Sequence, residues 1–213
     1  LNKLDVKVFN DPANKLLKKS RRTYDFIDVD PFGTPIPFLK NSIKRLRKSG
    51  IIGVTATDTS ALVGTYPSAC MKKYGANNIK TKFMFEVGSR ILIKKIVEEG
   101  IKQEISLEPI FTHSSNHYIR IYLKRVNKTL ATIKKKVRPL FYCQNCTNFK
   151  ISEVFTNSKK RCACGGYFKQ LGPMWIGKLW DNKLVEKLEG NKTIDLIKDE
   201  SKLNVFGYFD YHA

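Results

Sequence analysis

The chain has 213 residues, with 39 Lys and Arg against 19 Asp and Glu, and its formal net charge is +20. Its 42% hydrophobic residues are enough to bury a sizeable core. No apolar run approaches the roughly 20 residues that span a bilayer, and no signal-peptide pattern is present, so we expect a cytoplasmic protein without a membrane partner.

The excess of positive charge has two explanations. Several basic runs lie beside aromatic or apolar residues, namely "KNSIKRLRK", "YIRIYLKRV" and "KKKVRPLFY". Because Lys and Arg bind phosphates, this pattern favours a nucleic-acid partner. The alternative is an A+T-rich genome, which raises the Lys and Asn content of every protein that it encodes.

Hydrophobic periodicity predicts the first elements. "LDVKVF" (residues 4–9) alternates like a strand, and "NDPANKLLKKS" reads as a turn that opens into a helix with Pro12 near its first position. "YDFIDVD" (residues 24–30) predicts a second strand. From Pro35 to Ser49 apolar residues recur at helical spacing, so we expect an amphipathic helix ending at Gly50. "IIGVTATD" then predicts a third strand, covered on both faces.

Two helices and a hairpin follow. "PSACMKKYG" predicts a short helix that begins at a proline, and "EVGSRILIKKIVEEG" predicts a longer amphipathic one. "QEISLEPIFTH" and "HYIRIYLKRV" are rich in β-forming residues and are separated only by "SSN", which predicts a hairpin. This alternation predicts an α/β fold, with a parallel sheet joined by crossover helices and closed by an antiparallel strand.

The composition changes after the charged connector "KTLATIKKKVRP". Cys, Gly, Trp and short strands follow, and then two modest helices, "DNKLVEKLE" and "TIDLIKDESKL". We therefore divide the chain into an α/β domain, residues 1–128, and a C-terminal domain, residues 129–213. The connector's basic residues either contact phosphate or form a solvated linker; they are Lys134, Lys135, Lys136 and Arg138.

Four of the five cysteines predict a zinc ribbon at about residues 140–180. They form a C-x2-C pair and, after fifteen residues, a C-x-C-G-G pair: Cys143, Cys146, Cys162 and Cys164. Thiolates suit Zn²⁺, and two tight turns aim both pairs at one tetrahedral centre. A closed four-cysteine site leaves no position for substrate, so such a zinc is structural; the alternative is four free structural thiols. The fifth cysteine, Cys70, is expected to be a small buried hydrophobe.

The strand "YDFIDVD" ends on an unusual turn, Asp30-Pro31-Phe32-Gly33. In an open α/β sheet, side chains at the carboxyl end of a strand project into the crevice where ligands bind. A carboxylate acceptor beside a stacking ring suits the exocyclic amine of a flipped-out base. The alternative is an ordinary strand-to-helix turn in which the aspartate caps the helix.

Several stretches resemble, in order, the tRNA guanine-26 dimethyltransferase family: "FIDVDPFGTPIPFL", "GIIGVTATDTSALVGTYPSACMKKYGA", "EVGSRIL", "SSNHYIRIY" and "GPMWIGKLWD". The resemblance implies a Rossmann-like class I methyltransferase sheet. It also implies transfer of one or two methyl groups from S-adenosylmethionine to N2 of guanine 26 in tRNA. Carried over by position, the acceptor-amine site is formed by Asp30, Pro31 and Phe32.

The same resemblance assigns a cofactor contact and a topology. The "NDPAN" turn matches a segment that touches the cofactor's adenine, at Asp11, Pro12 and Ala13. Family members often carry an acidic residue where Pro12 stands. In the family topology residues 4–9 are the third strand and residues 24–30 the fourth. The chain then corresponds to strands 3 to 7 of the sheet.

No glycine-rich turn of the kind that holds the methionine part of the cofactor precedes Asp11. The fourth strand is therefore expected to have an unpaired edge. We expect either a fragment or one half of a split enzyme, which docks on a separate chain that supplies the first strands.

Two other functions remain open at this point. One is a non-catalytic RNA-binding module built from the basic half-domain and the zinc ribbon, and the other is an amino methyltransferase acting on DNA or another RNA.

Asp58 either lines the same crevice as Asp30 or caps a loop. His117 is expected to be a hydrogen-bonded structural residue. Trp175 and Trp180 either pack the zinc module or stack on RNA.

Overall fold

The computed structural model describes residues 6–115, 117–156, 160–190 and 192–203. The first part contains α1 (Ala13–Lys19), β1 (Tyr24–Val29), α2 (Ile36–Lys44), β2 (Leu46–Ala56), α3 (Thr59–Leu62), α4 (Pro67–Tyr74), α5 (Met84–Lys102), β3 (Leu107–Ser114) and β4 (Ile119–Arg125). The second part contains α6 (Leu130–Lys134), β5 (Val137–Cys143), β6 (Phe149–Ile151), β7 (Phe168–Trp175), α7 (Asn182–Glu186) and α8 (Lys192–Leu203). Among these helices none is long and apolar enough to cross a membrane.

The larger sheet has four strands in the order β1-β2-β4-β3. β1 and β2 run parallel, and the β3–β4 hairpin is antiparallel and adds to β2 through β4. This arrangement confirms the predicted α/β fold, in which a parallel pair is closed by an antiparallel strand. A smaller antiparallel sheet, β6-β5-β7, carries the cysteine cluster.

Helix α5 is the centre of the core. It is buried on most of its circumference, although some of the buried residues are polar or charged, and it contacts both β3–β4 of the larger sheet and β7 of the smaller one. One continuous cluster of buried apolar side chains includes Ile27 of β1, Ile91 of α5 and Trp175 of β7. The division at residue 128 stays a prediction.

The other face of the larger sheet is less covered. Along β1, Ile27 and Val29 are buried, whereas Phe26 and Asp28 alternate with them and are exposed. Among the described residues β1 pairs only with β2, so its outer edge is free, as expected from the family topology. An exposed strand edge beside apolar side chains is a surface that other chain segments can pair with.

Two sequence predictions are wrong. The strand at residues 4–9 is absent from its described part, since residues 6–9 have no regular structure; residues 4 and 5 lie outside the described ranges. The helix predicted to run to Ser49 ends at Lys44 instead, and β2 begins at Leu46. Both helix and strand place Leu46 in the core, so apolar spacing could not distinguish them.

Gly50 has a different role from the predicted helix stop. Between the pairs Tyr24–Leu46 and Phe26–Ile51 the register of β2 shifts, so residues 47–50 form a bulge. A Cβ at Gly50 would lie 3.0 Å from the carbonyl oxygen of Asp25. Glycine is therefore needed for the close approach of the bulge to β1.

The charged connector is part of the fold and not a free linker. It forms α6, whose Ile133 is buried, and the start of β5. Arg138 pairs with Glu153 (2.9 Å) and Lys136 with Glu108 (2.5 Å). The aromatic run at residues 205–213 lies outside the described ranges.

Candidate functional site

Asp30 directly follows β1 and is exposed at the carboxyl end of the sheet. In the described ranges its carboxylate forms no ion pair. Pro31 is half-buried, while the ring of Phe32 is fully exposed. A large aromatic ring left in water gains nothing for the fold, so both groups of this turn are available to a ligand.

The turn itself is held firmly. Gly33 has a φ of +80°, which favours glycine. Its N–H donates to Oγ1 of Thr57 (2.6 Å), and the N–H of Thr57 donates to the Gly33 carbonyl (3.0 Å). The side chain of Thr34 also lies 3.2 Å from the Tyr74 hydroxyl. Asp30 and Phe32 therefore project from a backbone that is fixed to β2 and α4.

Asp58 fulfils neither of its two proposed roles. Its side chain makes no capping hydrogen bond to α3. It accepts hydrogen bonds from the Tyr74 hydroxyl (2.6 Å) and from Nζ of Lys73 (2.9 Å). Burial, and then the hydrogen bond to Asp58, raise the pKa of Tyr74 above its usual range. Asp58 thus anchors α4 next to the Asp30 turn.

A strand-end cleft of about 750 Å³ opens beside Asp30. Its sheet side includes Thr55, Arg120 and His113, which neighbouring strands place in one row, and its other side is formed by α8. Arg120 pairs with Asp28 (2.8 Å) and lies over the Tyr122 ring, 4.8 Å from its centroid. Burial alone would lower the pKa of Arg120, but the hydrogen bond to Asp28 raises it, so that the pKa lies above its usual value.

Sequence reasoning missed His113 and Arg120. The alternation of "HYIRIYLKRV" would have placed Tyr118, Arg120 and Tyr122 on one face. His117, the histidine considered from the sequence, is exposed. Burial lowers the pKa of His113 and so favours its neutral imidazole.

The expected cofactor residues lie at the start of α1. Pro12 is the N-cap, Ala13 is the first helical residue, and Asp11 pairs with Lys15 (2.8 Å). An edge groove of about 790 Å³ runs between α1 and the free edge of β1, and Ala13, Asp30 and Pro31 all line it. The structure thus brings Ala13 together with the Asp30 turn, whereas Asp11 and Pro12 do not line the groove.

The edge groove is mostly apolar. Besides Ala13 its walls include Phe9, Leu16, Ile27 and Phe38. Flat apolar walls with a few polar groups are typical of sites for ring-containing ligands. The groove therefore suits an aromatic ring placed close to Asp30.

The four clustered cysteines fit a tetrahedral zinc ion. All four Sγ atoms lie within 4.8 Å of one another, and the Cys143–Cys164 and Cys146–Cys162 pairs are 3.5 Å apart. Zn–S bonds of about 2.3 Å require sulfurs about 3.8 Å apart in a tetrahedron. The backbone N–H groups of Cys146 and Asn145 lower the pKa of Cys143 to about 7, which favours the thiolate that zinc binds.

Both cysteine pairs sit on similar turns. Thr147 donates its N–H to the Cys143 carbonyl (2.9 Å), and Gly165 donates to the Cys162 carbonyl (3.0 Å). Thr147 and Gly165 each follow the second cysteine of a pair and have φ values of +62° and +84°. A Cβ at Gly166 would lie 3.2 Å from Sγ of Cys143. The shorter C-x-C pair therefore reaches the same centre.

We expect the purified chain to contain about one zinc per chain. Because Cys146 is exposed, its replacement by Ser disturbs little packing, and we expect Cys146→Ser to lose the metal and to unfold at lower temperature. Cys70→Ala is the control, since Cys70 is buried apart from the cluster and burial raises its pKa to about 11. Elemental analysis and thermal unfolding measure both effects. The assignment would be contradicted if the wild-type chain contained no zinc and Cys146→Ser left the unfolding temperature unchanged.

Known proteins are similar in sequence to most of this chain. A family model described as N2,N2-dimethylguanosine tRNA methyltransferase matches residues 1–209. The tRNA (guanine(26)-N(2)/guanine(27)-N(2))-dimethyltransferase of Aquifex aeolicus is 37% identical over 202 residues, which cover 87% of this chain and 51% of that protein. The tRNA (guanine(26)-N(2))-dimethyltransferase of Methanocaldococcus jannaschii is 33% identical, with 100% of this chain and 58% of that protein covered.

A solved structure is similar as well. Trm1 from Pyrococcus horikoshii, in complex with S-adenosyl-L-methionine, is 30% identical and superposes with a TM-score of 0.72. The match covers 90% of this chain and 48% of that one. The chain therefore spans about half the length of the relatives that it matches.

Proposed function

Because the chain belongs to the N2,N2-dimethylguanosine tRNA methyltransferase family, we propose that it carries the amine-binding half of an S-adenosylmethionine-dependent tRNA methyltransferase. The acceptor is N2 of guanine 26, methylated once or twice. The observation that carries this proposal is the carboxylate of Asp30 beside the exposed ring of Phe32, on a turn that Thr57 holds rigid. An RNA-binding module without catalysis would not need a free carboxylate at this position.

S-adenosylmethionine, when bound, supplies an activated sulfonium methyl group, so little acid–base help is needed. Asp30 would accept a hydrogen bond from the N2 amine and orient the lone pair of that nitrogen. Its carboxylate would also stabilise the positive charge that develops on the nitrogen. The proton that the methylated amine loses would then pass to solvent. Phe32 would stack on the guanine and, with Pro31, hold the amine in place beside Asp30.

The Asp30 end of the edge groove is the proposed place for the cofactor's adenosine, which leaves the rest of the β1 edge free to pair with other strands. Ala13 and Pro31 line it together with apolar side chains, and Asp30 borders it, so a ring bound there brings the sulfonium close to the amine site. Asp11 and Pro12 would contact the adenine from the rim. Pro12 offers no N–H and no carboxylate, so it contributes only van der Waals contact.

We further propose that additional strands pair with the free edge of β1 and complete the cofactor site. The support is the free edge itself, together with Phe26, which is 53% exposed. In this proposal the larger sheet corresponds to strands 4 to 7 of a class I methyltransferase. The additional strands belong either to the same polypeptide or to a separate chain. The four-cysteine zinc site is structural and supports the smaller sheet.

A methyl-transfer assay tests the proposal. If additional strands complete the cofactor site as proposed, the chain alone should methylate unmodified tRNA little. Activity should appear on addition of a relative's N-terminal segment, which would supply those strands. A tRNA with adenine at position 26 is the matched control, and mass spectrometry of the nucleosides counts the methyl groups. Full activity of the chain alone would contradict the need for further strands. Binding of tRNA without methylation in any mixture would favour the non-catalytic module.

A further inference from the structure

A second groove lies at the opposite end of the larger sheet from Asp30. It has a volume of about 770 Å³ and is bordered by the start of β3, the end of β4 and the segment between β7 and α7. We call it the basic groove, because six cationic side chains line it: Lys124, Arg125, Lys128, Lys136, Lys178 and Lys183. Two carboxylates, Glu108 and Asp181, are the acidic members of this lining.

Both carboxylates are already engaged within the protein. Glu108 accepts from Nζ of Lys128 (2.6 Å) and from Nζ of Lys136 (2.5 Å). Burial would raise the pKa of Glu108, but these two ammonium groups outweigh it and hold the pKa below its usual value. Asp181 accepts from the N–H groups of Lys183 and Leu184 as the N-cap of α7. Glu108 is therefore neutralised by its two lysines, and the negative charge of Asp181 still leaves the lining with an excess of cations.

Three lysines of the groove point their charge outward. Lys124, Lys178 and Lys183 are exposed, and none has an ion pair within the described ranges. Lys124 lies at the end of β4, whereas the other two lie on the far wall. Each loses no salt bridge when it meets an external phosphate, so its contribution to binding is not offset.

The two walls of the groove are held at a fixed separation. Oγ1 of Thr112 in β3 donates to the Leu179 carbonyl (3.0 Å), and the Trp180 indole N–H donates to the Thr112 carbonyl (2.8 Å). The N–H of Asp181 donates to the Ile110 carbonyl (2.9 Å). The exposed lysines therefore present a preorganised row of charges.

We propose that the basic groove binds the phosphate backbone of the RNA substrate at a distance from the methylated base. This inference rests on the proposed function, since it assigns a second contact to the same tRNA. β4 extends five residues from Ile119, which pairs with Ala56 near the Asp30 turn, to Lys124. At about 3.4 Å per residue Lys124 lies roughly 17 Å along β4 from the strand end beside the Asp30 turn.

An RNA, and not an acidic protein, is the favoured occupant. The groove combines an excess of cations with an open shape, and the larger sheet places it on the same molecule as a base-recognising turn. One continuous polyanion can reach both sites, whereas a protein partner would need a separate reason for its position. Of the connector residues, Lys136 lines the groove, while Lys134, Lys135 and Arg138 do not.

The test compares two triple variants of the full chain with the same change in net charge. The groove variant is Lys124→Gln, Lys178→Gln and Lys183→Gln. The control variant is Lys40→Gln, Lys44→Gln and Lys72→Gln, three exposed lysines on the helical side of the sheet. Binding of an unmodified tRNA transcript is measured by fluorescence anisotropy at several salt concentrations, and methyl transfer is measured in the complemented enzyme.

We expect the groove variant to bind tRNA about tenfold or more weakly and to reduce the slope of log K against log salt by about three. The control variant should stay close to wild type. Equal binding by wild-type and groove variants would overturn the groove assignment and leave the proposed function intact; it is also the result expected if the groove serves a protein partner. Tight tRNA binding by the wild type without methylation in the complemented enzyme would overturn the proposed function instead. A complemented enzyme that binds no tRNA would overturn both.

Discussion

Replacing Asp30 by Ala is expected to abolish methyl transfer in the complemented enzyme while tRNA binding survives. In the proposed function the variant loses the hydrogen-bond acceptor for the N2 amine and the negative charge that would stabilise the developing ammonium. A preorganised group of this kind accounts for about 10² to 10³ in rate. Methyl incorporation into tRNA from labelled S-adenosylmethionine measures the loss.

The position of Asp30 makes this experiment clean. Its side chain is exposed and has no ion pair in the part of the chain that the structure describes, so we expect a change in unfolding free energy within about 0.5 kcal/mol. Asp25→Ala is the matched control: it removes an exposed carboxylate from the other end of β1, where it pairs with Arg47 (2.9 Å). An Asp30→Ala enzyme with wild-type turnover would reject the assigned role. A variant that also fails to bind tRNA would show that Asp30 acts in binding.

Replacing Arg90 by Met is expected to destabilise the whole chain. Arg90 in α5 is buried and donates from Nε to Glu86 (2.7 Å), and its Nη1 donates to the carbonyls of Trp175 and Gly177 (2.9 Å each). Its loss leaves the charge of Glu86 in the core without this partner, which costs about 3 to 5 kcal/mol. For a chain of this size that corresponds to roughly 10 °C in unfolding temperature.

Two further variants separate the causes. Glu86→Leu combined with Arg90→Met removes both charges, and we expect it to regain part of the lost stability, since neither charge of this pair then remains in the core. Arg47→Met breaks a surface ion pair and should cost no more than about 1 kcal/mol. Thermal unfolding of the full chain gives all three values. If Arg90→Met and Arg47→Met unfolded at the same temperature, Arg90 would not be the tie between α5 and β7.

Arg90 ties α5 to the end of β7 in the smaller sheet. A second connection is the pair of backbone hydrogen bonds between Asn77 and Gly172 (2.7 and 2.8 Å). These contacts tie α5 and the chain after α4 to β7 of the smaller sheet, which carries the cysteine cluster. On the proposal that this cluster binds zinc, removal of the metal should loosen the position of α5 beneath the larger sheet and not only the cysteine turns.

Much of the fold could be predicted from local patterns. The period-2 alternation of "YDFIDVD" and of the β3–β4 hairpin determines which side chains face the core, because side-chain direction depends only on backbone geometry. The spacing of the four cysteines likewise implies two turns and one tetrahedral centre, and their sulfurs do converge. The stretches that resemble the tRNA guanine-26 dimethyltransferase family indicated the correct family, since a model of N2,N2-dimethylguanosine tRNA methyltransferases matches residues 1–209.

Other features depended on contacts between distant residues. The end of α2 at Lys44 could not be predicted, because Leu46 is buried by a helix and by a strand alike, and only pairing with Tyr24 selects the strand. From the sequence Asp58 could line the crevice or cap a loop, and only the structure shows that it accepts hydrogen bonds from Tyr74 and Lys73. Residues 6–9 alternate like a strand but form no strand, because within the described ranges no neighbouring strand pairs with them.

The sequence by itself determined the types of element, the cysteine centre and the position of the Asp30 turn at the end of a strand, because each follows from local geometry or spacing. Tertiary structure alone decided that the turn is anchored by Thr57 and that Ala13 shares a groove with it. It also decided that six cations from both parts of the chain line one basic groove. These features join residues far apart in the sequence, and their proximity depends on how the two sheets pack around α5.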